Sequence, residues 1–326
     1  MKEGCWILSL ALLFIFAGLS GTGFAAQKSD IKIGLPVQAT SFLPVYVANE
    51  KKFFREAGLN TETILFRGDA GVVQAIVGGS LDINVASLNG LLGAISAGQK
   101  LKAFWGGYNS ADFAWYAAKE ITSTKDLKGK KFAVSSFGSL TDALTRFLIQ
   151  KSSLDPQKDV QILQIGGTPA MLTALRTGRV DVAILSPPTK FAAQTEGFNK
   201  LFDQRTGIAK EWPKHVVYST ESFIKENPET IRSFIRATAK AIRFAKSNRD
   251  ESIQIISKVF KMKKDFAALA YDDVIDYLYA DGRLPDPESM DTFWRISIQT
   301  GDVKEKWPQE KYFDDSFAKT QKEWLR

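Results

Sequence analysis

Short strand-like runs and longer helical runs alternate along the hydrophobic pattern of the chain. Residues 31–35 alternate as a first strand, a helical period begins near Val45 and stops at Gly58, and residues 61–66 form a second strand. Later runs continue the alternation, with helices at 88–97, 140–150 and 189–195 and strands at 101–105, 131–135 and 160–165. This order predicts an α/β fold whose sheets are mostly parallel and covered by helices on both faces.

Two segments of the chain look like copies of one structural unit. Residues 68–87 and 167–186 match at an offset of 99, so that Gly79 meets Gly178 and Ala75 meets Ala174. Each copy predicts a loop, a short helix ended by glycine, and a strand buried on both faces. The duplication therefore predicts two similar α/β lobes, and a cleft between lobes is a natural place for a ligand.

The repeated acids Asp82 and Asp181 occupy equivalent positions in these copies. They resemble a catalytic pair, but each stands between a helix-ending glycine and a buried strand. That position favours a structural turn or cap.

Two apolar, strand-like runs predict where the chain crosses between lobes, at 113–119 and at 214–218. Lobe 1 is then expected at 27–115 and 218–326, with lobe 2 at 119–214. A helix begins at Asn227-Pro228-Glu229, and the helices after it have no following strands. We expect these C-terminal helices to pack back onto lobe 1.

The first 26 residues predict a secretory signal peptide. An uncharged apolar stretch follows Lys2 and ends in small residues at Ala25 and Ala26, although an uncleaved membrane anchor is the alternative. Cys5, the only cysteine, lies inside this segment. The mature chain would therefore lack disulfides, a thiol nucleophile and cysteine-ligated metal sites.

Charge and motif content argue against several function classes. The net charge of +7 comes from basic residues spread among acids, so no nucleic-acid partner is predicted. His215 is the only histidine, and the chain has no phosphate loop, dinucleotide fingerprint or Gly-x-Ser-x-Gly elbow. We expect no cofactor, no metal and no enzymatic activity, with an exported hydrolase dependent on His215 as the alternative.

In order and spacing, several motifs resemble the periplasmic solute-binding proteins of ABC importers of the nitrate, sulfonate and taurine group, which includes binders of thiamine pyrimidine precursors. The motifs are Pro44-Val45-Tyr46-Val47-Ala48, Phe53-Phe54-Arg55-Glu56-Ala57-Gly58-Leu59, Gly79-Ser80-Leu81-Asp82, Asp126-Leu127-Lys128-Gly129-Lys130-Lys131, Gly178-Arg179-Val180-Asp181-Val182-Ala183 and Asn227-Pro228-Glu229. The resemblance implies a two-lobed type II flytrap with two crossover strands, a periplasmic location, and delivery of a small-molecule ligand to a membrane permease with its ATPase. Some relatives synthesise the thiamine pyrimidine with a cysteine-rich motif, which the mature chain lacks.

Ligands of open α/β sheets lie beyond the carboxyl ends of the strands, and this rule selects the candidate site. The predicted ligand-binding residues are Ser41, Phe42, Arg67, Gly68, Ser87, Asn89, Ser136, Phe137, Gly138, Ser139, Thr168, Ser186 and Pro187. The run 135–141, directly before a helix, predicts an oxyanion site, with ordinary N-capping by Ser139 as the alternative. For Ser87 and Ser186 capping is likewise the alternative.

Two further features bear on the nature of the ligand. Arg67 predicts an anionic ligand held by forked hydrogen bonds, unless it pairs with Asp69 on the surface. An aromatic wall for the ligand is possible but less expected than core packing for the residues Phe42, Trp105, Tyr108, Trp115 and Phe137. The chain is thus predicted to be a monomeric binding protein that closes on a small anion, with an exported sensor or a pyrimidine-precursor binder as alternatives.

Overall fold

The computed structural model describes residues 28–325, so the predicted signal peptide lies outside the described residues. The strands are β1 (Asp30–Leu35), β2 (Asn60–Leu65), β3 (Ile83–Ala86), β4 (Leu101–Ser110), β5 (Ala114–Ala117), β6 (Lys131–Val134), β7 (Gln161–Gln164), β8 (Val182–Leu185), β9 (Asn199–Asp203) and β10 (Glu211–Thr220). The helices are α1 (Leu43–Glu50), α2 (Phe53–Glu56), α3 (Asp69–Val77), α4 (Leu88–Ser96), α5 (Leu140–Lys151), α6 (Thr168–Arg176), α7 (Thr189–Thr195), α8 (Gln204–Gly207), α9 (Glu221–Glu226), α10 (Pro228–Ser247), α11 (Arg249–Phe260), α12 (Lys264–Val274), α13 (Pro287–Gln299) and α14 (Ser316–Trp324). Among residues 28–325, no helix has the length and apolar character that crossing a membrane requires.

The strands form two five-stranded sheets with the same plan. The first has the order β2-β1-β3-β10-β4 and the second the order β7-β6-β8-β5-β9. In each sheet the first three strands are parallel, and the fourth strand runs antiparallel to its neighbours. The predicted α/β fold of two lobes is therefore confirmed, with each sheet serving one lobe.

The chain passes between the sheets twice. It leaves the first sheet after β4 and enters the second at β5, and it returns from β9 to the first sheet at β10. The apolar run 113–119 contains β5 of the second sheet, and the run 214–218 lies within β10 of the first sheet, so each run is the strand that the chain enters after crossing. As a result, β5 and β10 hold equivalent places in the two sheets, and the crossing segments lie next to each other.

The repeated acids have the same structural role in both lobes. The Asp82 carboxylate accepts the backbone N–H of Lys32 at 2.8 Å, and the Asp181 carboxylate accepts that of Lys131 at 2.7 Å. Each acid thus fastens the start of its buried strand to the parallel neighbour. The structural interpretation of this pair is confirmed.

Two predictions about elements need correction. No strand was predicted at β9, which is a half-buried edge strand with a mixed polar sequence and therefore lacks a clear alternating pattern. The C-terminal helices were expected to pack back onto lobe 1. Helices α11 and α14 do so, through α1 and β4, but α13 contacts α5 of lobe 2 as well as β10. The C-terminal segment therefore bridges the two lobes.

Candidate functional site

An enclosed cavity of about 30 Å³ lies between the two lobes, beyond the carboxyl ends of the parallel strands. By the usual measure this volume holds about two water molecules. Its walls come from both lobes and from the returning strand β10. The lining residues are Pro36, Val37, Ala39, Asp69, Ser87, Phe113, Ser135, Leu140, Thr141, Thr168, Met171, Ser186, Lys214 and His215.

The lobes are in direct contact around the cavity. The Thr40 backbone N–H donates to the Pro187 carbonyl at 3.4 Å, which joins lobe 1 to lobe 2. Gly68, with a φ of +142°, lies so close to lobe 2 that a Cβ placed on it would be 2.7 Å from the Ser136 Oγ. Only glycine fits this approach, so the two lobes pack closely at this point.

Asp69 is buried at the first turn of α3 and faces the cavity. Its carboxylate accepts the Ser87 backbone N–H at 3.2 Å, and the backbone of Leu140 at the start of α5 lies beside it. Burial raises the pKa of Asp69, while these neighbouring backbone groups act in the opposite direction. Gly90 permits this packing, since a Cβ there would be 2.9 Å from the Asp69 Cβ.

A buried ion pair joins the two segments that cross between the lobes. Lys214 on β10 contacts Asp112, which lies between β4 and β5, and both side chains are at most 1% exposed. The Lys214 ammonium also lies 4.4 Å from the centre of the Phe113 ring. Burial lowers the pKa of Lys214, and the Asp112 carboxylate opposes that shift.

A second set of charges extends this pair. The Lys190 ammonium of α7 donates to the Asp112 carbonyl at 3.1 Å and lies 2.6 Å from the Asp273 carboxylate of α12. Arg205 of lobe 2 also contacts Asp273, at 3.1 Å. These contacts tie lobe 2 to the C-terminal helices on the hinge side.

His215 lies deep in the site, stacked on Phe42 with ring centres 4.2 Å apart. Its Nε2 is 3.0 Å from the Ser41 Oγ, whereas Nδ1 has no hydrogen-bond partner among the described residues. Burial, reinforced by the neighbouring Lys214 charge, lowers the pKa of His215 well below its usual value, and the ring is therefore neutral at pH 7. A catalytic Ser–His pair needs a third group that orients the ring, and no such group lies on Nδ1 within residues 28–325.

Hydroxyl groups of lobe 2 form a compact cluster at the start of α5. The Ser135, Ser139 and Thr141 side-chain oxygens are 2.8–3.0 Å from one another. Ser139 also caps α5 by accepting the Asp142 backbone N–H, as the capping alternative predicts. Ser136 is buried, and its Oγ has no partner among the described residues.

The structure distributes the sequence-predicted residues between the cavity wall, its surroundings and the surface. Ser87, Thr168 and Ser186 line the cavity directly, and Ser87 also caps α4 by accepting the Gly90 N–H. Arg67 is exposed and not part of the lining, and Phe137 is 53% exposed. The remaining predicted residues lie in the loops and helix starts next to the lining: Ser41, Phe42, Gly68, Asn89, Ser136, Gly138, Ser139 and Pro187.

The strand-end rule selected loops that border the cavity, but it did not single out the three ionisable side chains of the lining, Asp69, Lys214 and His215. Asp69 belongs to the predicted 67–69 loop, where Arg67 had been favoured instead. Lys214 and His215 lie on the second crossing run. They could have been found from the sequence, because a segment that passes between the lobes also passes the cleft. Of the possible aromatic wall, Trp105 and Trp115 are core residues that do not line the cavity.

Asn89 is held by a carboxylate from the C-terminal segment. Its Nδ2 donates to Asp302 at 2.8 Å, and burial raises the pKa of Asp302 to about 6. The Asp142 carboxylate of lobe 2 also raises this pKa, whereas the Asn89 hydrogen bond and Arg146 lower it. Asp302 is therefore a titrating group at the junction of both lobes.

This group predicts a specific pH dependence of stability. A raised folded-state pKa means that stability is fully present below the usual pKa of 3.8 and is lost as the pH rises through about 6. We expect Asp302→Asn to increase the free energy of unfolding at pH 7.5 by up to about 3 kcal/mol. Urea denaturation from pH 4 to pH 7.5 tests this prediction. The free energy of unfolding of the variant should change less with pH than that of the wild type. An equal change with pH in both proteins would contradict the raised pKa of Asp302.

The described residues offer no cluster that suits a metal ion. Within residues 28–325, no three His, Cys, Asp or Glu side chains are grouped as metal ligands would be. The polar groups of the cavity are instead hydroxyls, one carboxylate, one paired ammonium and one imidazole. Such a set can bind a small molecule by hydrogen bonds.

Two similar lobes, two crossing segments and a cavity enclosed between the lobes define the fold of a periplasmic binding protein. The sequence from residue 39 to residue 252 matches the family model described as NMT1/THI5 like. The chain belongs to this NMT1/THI5-like family.

Individual relatives agree with this membership. A protein of Brucella abortus (strain 2308) named as a binding protein is 26% identical over 271 residues, covering 79% of this chain and 78% of the relative. A Bacillus subtilis protein named for binding aliphatic sulfonates is 25% identical, covering 81% and 80% of the two chains. Among solved structures, a Bordetella bronchiseptica RB50 protein superposes with a TM-score of 0.79 at 22% identity, over 92% of this chain and 99% of the other.

Proposed function

We propose that this protein is the extracytoplasmic solute-binding component of an ABC importer, which encloses a small molecule between its lobes. The observation that carries the proposal is the cavity itself, because its lining comes from lobe 1, lobe 2 and the strand that joins them. Ligand contacts made by both lobes exist only when the lobes are closed. Binding therefore shifts the population toward the closed arrangement.

The family supports the same role. A solved structure similar in fold, with a TM-score of 0.73, is described as the ligand-binding component of an ABC-type import system from Staphylococcus aureus. We propose that this chain likewise acts with a membrane permease and its ATPase after export to the periplasm, and that it works as a monomer. Binding rather than catalysis fits relatives that are named as binding proteins.

A thermal-shift screen of the purified protein tests the proposal. Since only the folded state encloses a ligand, a solute at 100 times its dissociation constant should stabilise the protein by about 2.7 kcal/mol. The expected result is a small group of chemically related solutes that raise the melting temperature. The screen would include nitrate, alkanesulfonates, carboxylates and nitrogen heterocycles, and binding that survives Thr168→Tyr, which fills the cavity, would contradict the proposed site.

A further inference from the structure

A carboxylate of the protein already occupies the position in the cleft where an anionic ligand would be expected. Asp69 is at the N-terminal turn of α3, accepts the N–H of Ser87 at the start of α4, and lies beside the backbone of Leu140 at the start of α5. The partial positive charges of three helix ends therefore converge on this one side chain. Two of these helices belong to lobe 1, and α5 belongs to lobe 2.

The lining leaves the Asp69 carboxyl group without a cationic partner. No ion pair to Asp69 occurs among the residues that the structure describes, whereas Lys214, the only cation in the lining, contacts Asp112. His215 is neutral, and Arg67 is exposed outside the lining. An anion entering this cavity would meet no free cation, and it would lie beside a carboxyl group whose ionised form burial already disfavours.

Two further polar groups near Asp69 have unused hydrogen-bonding capacity. His215 lines the cavity and is 4% exposed, and its Nδ1 has no partner within residues 28–325. The Ser136 Oγ, at the contact with Gly68, is likewise buried and unpartnered in the described chain. Buried polar atoms are nearly always hydrogen-bonded, so these two atoms are available to a ligand that supplies partners for them.

We infer that the cavity selects a small uncharged or cationic solute that carries N–H donors for Asp69, and that it discriminates against anions. This inference rests on the proposed function and specifies its ligand class. An amide, amidine or amino-heterocycle has the required chemistry, because it presents N–H groups to a carboxylate and remaining polar atoms to the imidazole and hydroxyl groups. A bound cation would also stabilise the ionised form of the Asp69 carboxylate.

Three probes of nearly identical shape separate the alternatives: acetate, acetamide and acetamidinium, with charges of −1, 0 and +1. Each has four heavy atoms, so the best attainable free energy of binding is about −6 kcal/mol and millimolar titrations are appropriate. Chemical-shift titration of the wild-type protein should give the tightest binding for acetamidinium, weaker binding for acetamide and none for acetate. Binding of acetate or nitrate ahead of acetamidinium, or no binding of any probe, would overturn the inference.

The Asp69→Asn variant tests which sign of ligand charge the site prefers. It should weaken acetamidinium binding by about tenfold or more, because a charge-assisted hydrogen bond is lost. If the natural ligand were an anion, the same variant would bind nitrate more tightly than the wild type does. Asp82→Asn is the matched control, since it also removes a carboxylate that accepts a backbone N–H but lies outside the lining, and it should leave the probe order unchanged.

The experiments distinguish a failure of this inference from a failure of the proposed function. If the solute screen finds an anion whose stabilisation is lost on filling the cavity, the importer role stands and the inference on ligand class is wrong. If no solute of any charge stabilises the protein, the importer role itself fails. The order of the three wild-type probes decides the inference even if Asp69→Asn does not fold.

Discussion

Replacing Asp112 by Asn is expected to lower the free energy of unfolding by about 3–4.5 kcal/mol, because Lys214 would be left buried without its counter-charge. Both side chains of this pair are essentially inaccessible to water. The loss has a natural ceiling, since deprotonating a lysine of ordinary pKa at pH 7 costs about 4.6 kcal/mol. Lys214 would then be neutral in the folded variant and charged in the unfolded chain, and the variant should regain stability as the pH rises from 7 to 10.

Two further variants give this prediction its controls. The double variant Asp112→Asn/Lys214→Met should be destabilised far less than Asp112→Asn alone, since no uncompensated charge remains. Glu56→Gln removes one partner of the exposed pair between Glu56 and Lys240 and should cost less than about 1 kcal/mol. Urea denaturation measures all three. If Asp112→Asn is as stable as the wild type, or if the double variant is destabilised as much as Asp112→Asn, the role given to this ion pair is contradicted.

The lobes could be predicted from sequence because the repeated units carry their information locally. In each unit a helix, a glycine and a buried strand follow one another, and helix α7 begins and ends at the predicted residues Thr189 and Thr195. Strand β9 could not be predicted in this way, because an edge strand exposes one side and needs no alternating pattern. The bridging position of α13 depends on contacts with α5 and β10, which are distant in sequence.

The site was predictable as a set of loops but not as a set of contacts. The ends of the parallel strands gave the loops around Gly68, Ser87, Ser136 and Ser186, since those ends meet at one edge of each sheet. Local sequence does not reveal which side chain of a loop turns inward. The Arg67 guanidinium stays hydrated at the surface, whereas the shorter Asp69 side chain is buried and accepts the Ser87 backbone N–H.

A disulfide across the cleft is expected to stop exchange of the enclosed solute. A Cβ on Gly167 of lobe 2 would be 3.7 Å from the Val37 Cβ of lobe 1, which is within the range for a disulfide. Gly167 has an ordinary φ of −61°, so cysteine fits there without strain. Because Cys5 is the only natural cysteine, Val37→Cys/Gly167→Cys in a Cys5→Ser background has a single possible pairing.

We would measure how fast a preloaded solute leaves this variant before and after oxidation. The comparison tests whether the lobes must separate before the solute can exchange. The solute is the one that stabilises the protein most in the thermal-shift screen, and the reduced variant is its own control. We predict that the reduced form releases the solute at nearly the wild-type rate, whereas the oxidised form releases it at least a hundredfold more slowly, a barrier change of about 2.7 kcal/mol. Equal release from both forms, or failure of the disulfide to form in the folded protein, would contradict enclosure of the solute between the lobes.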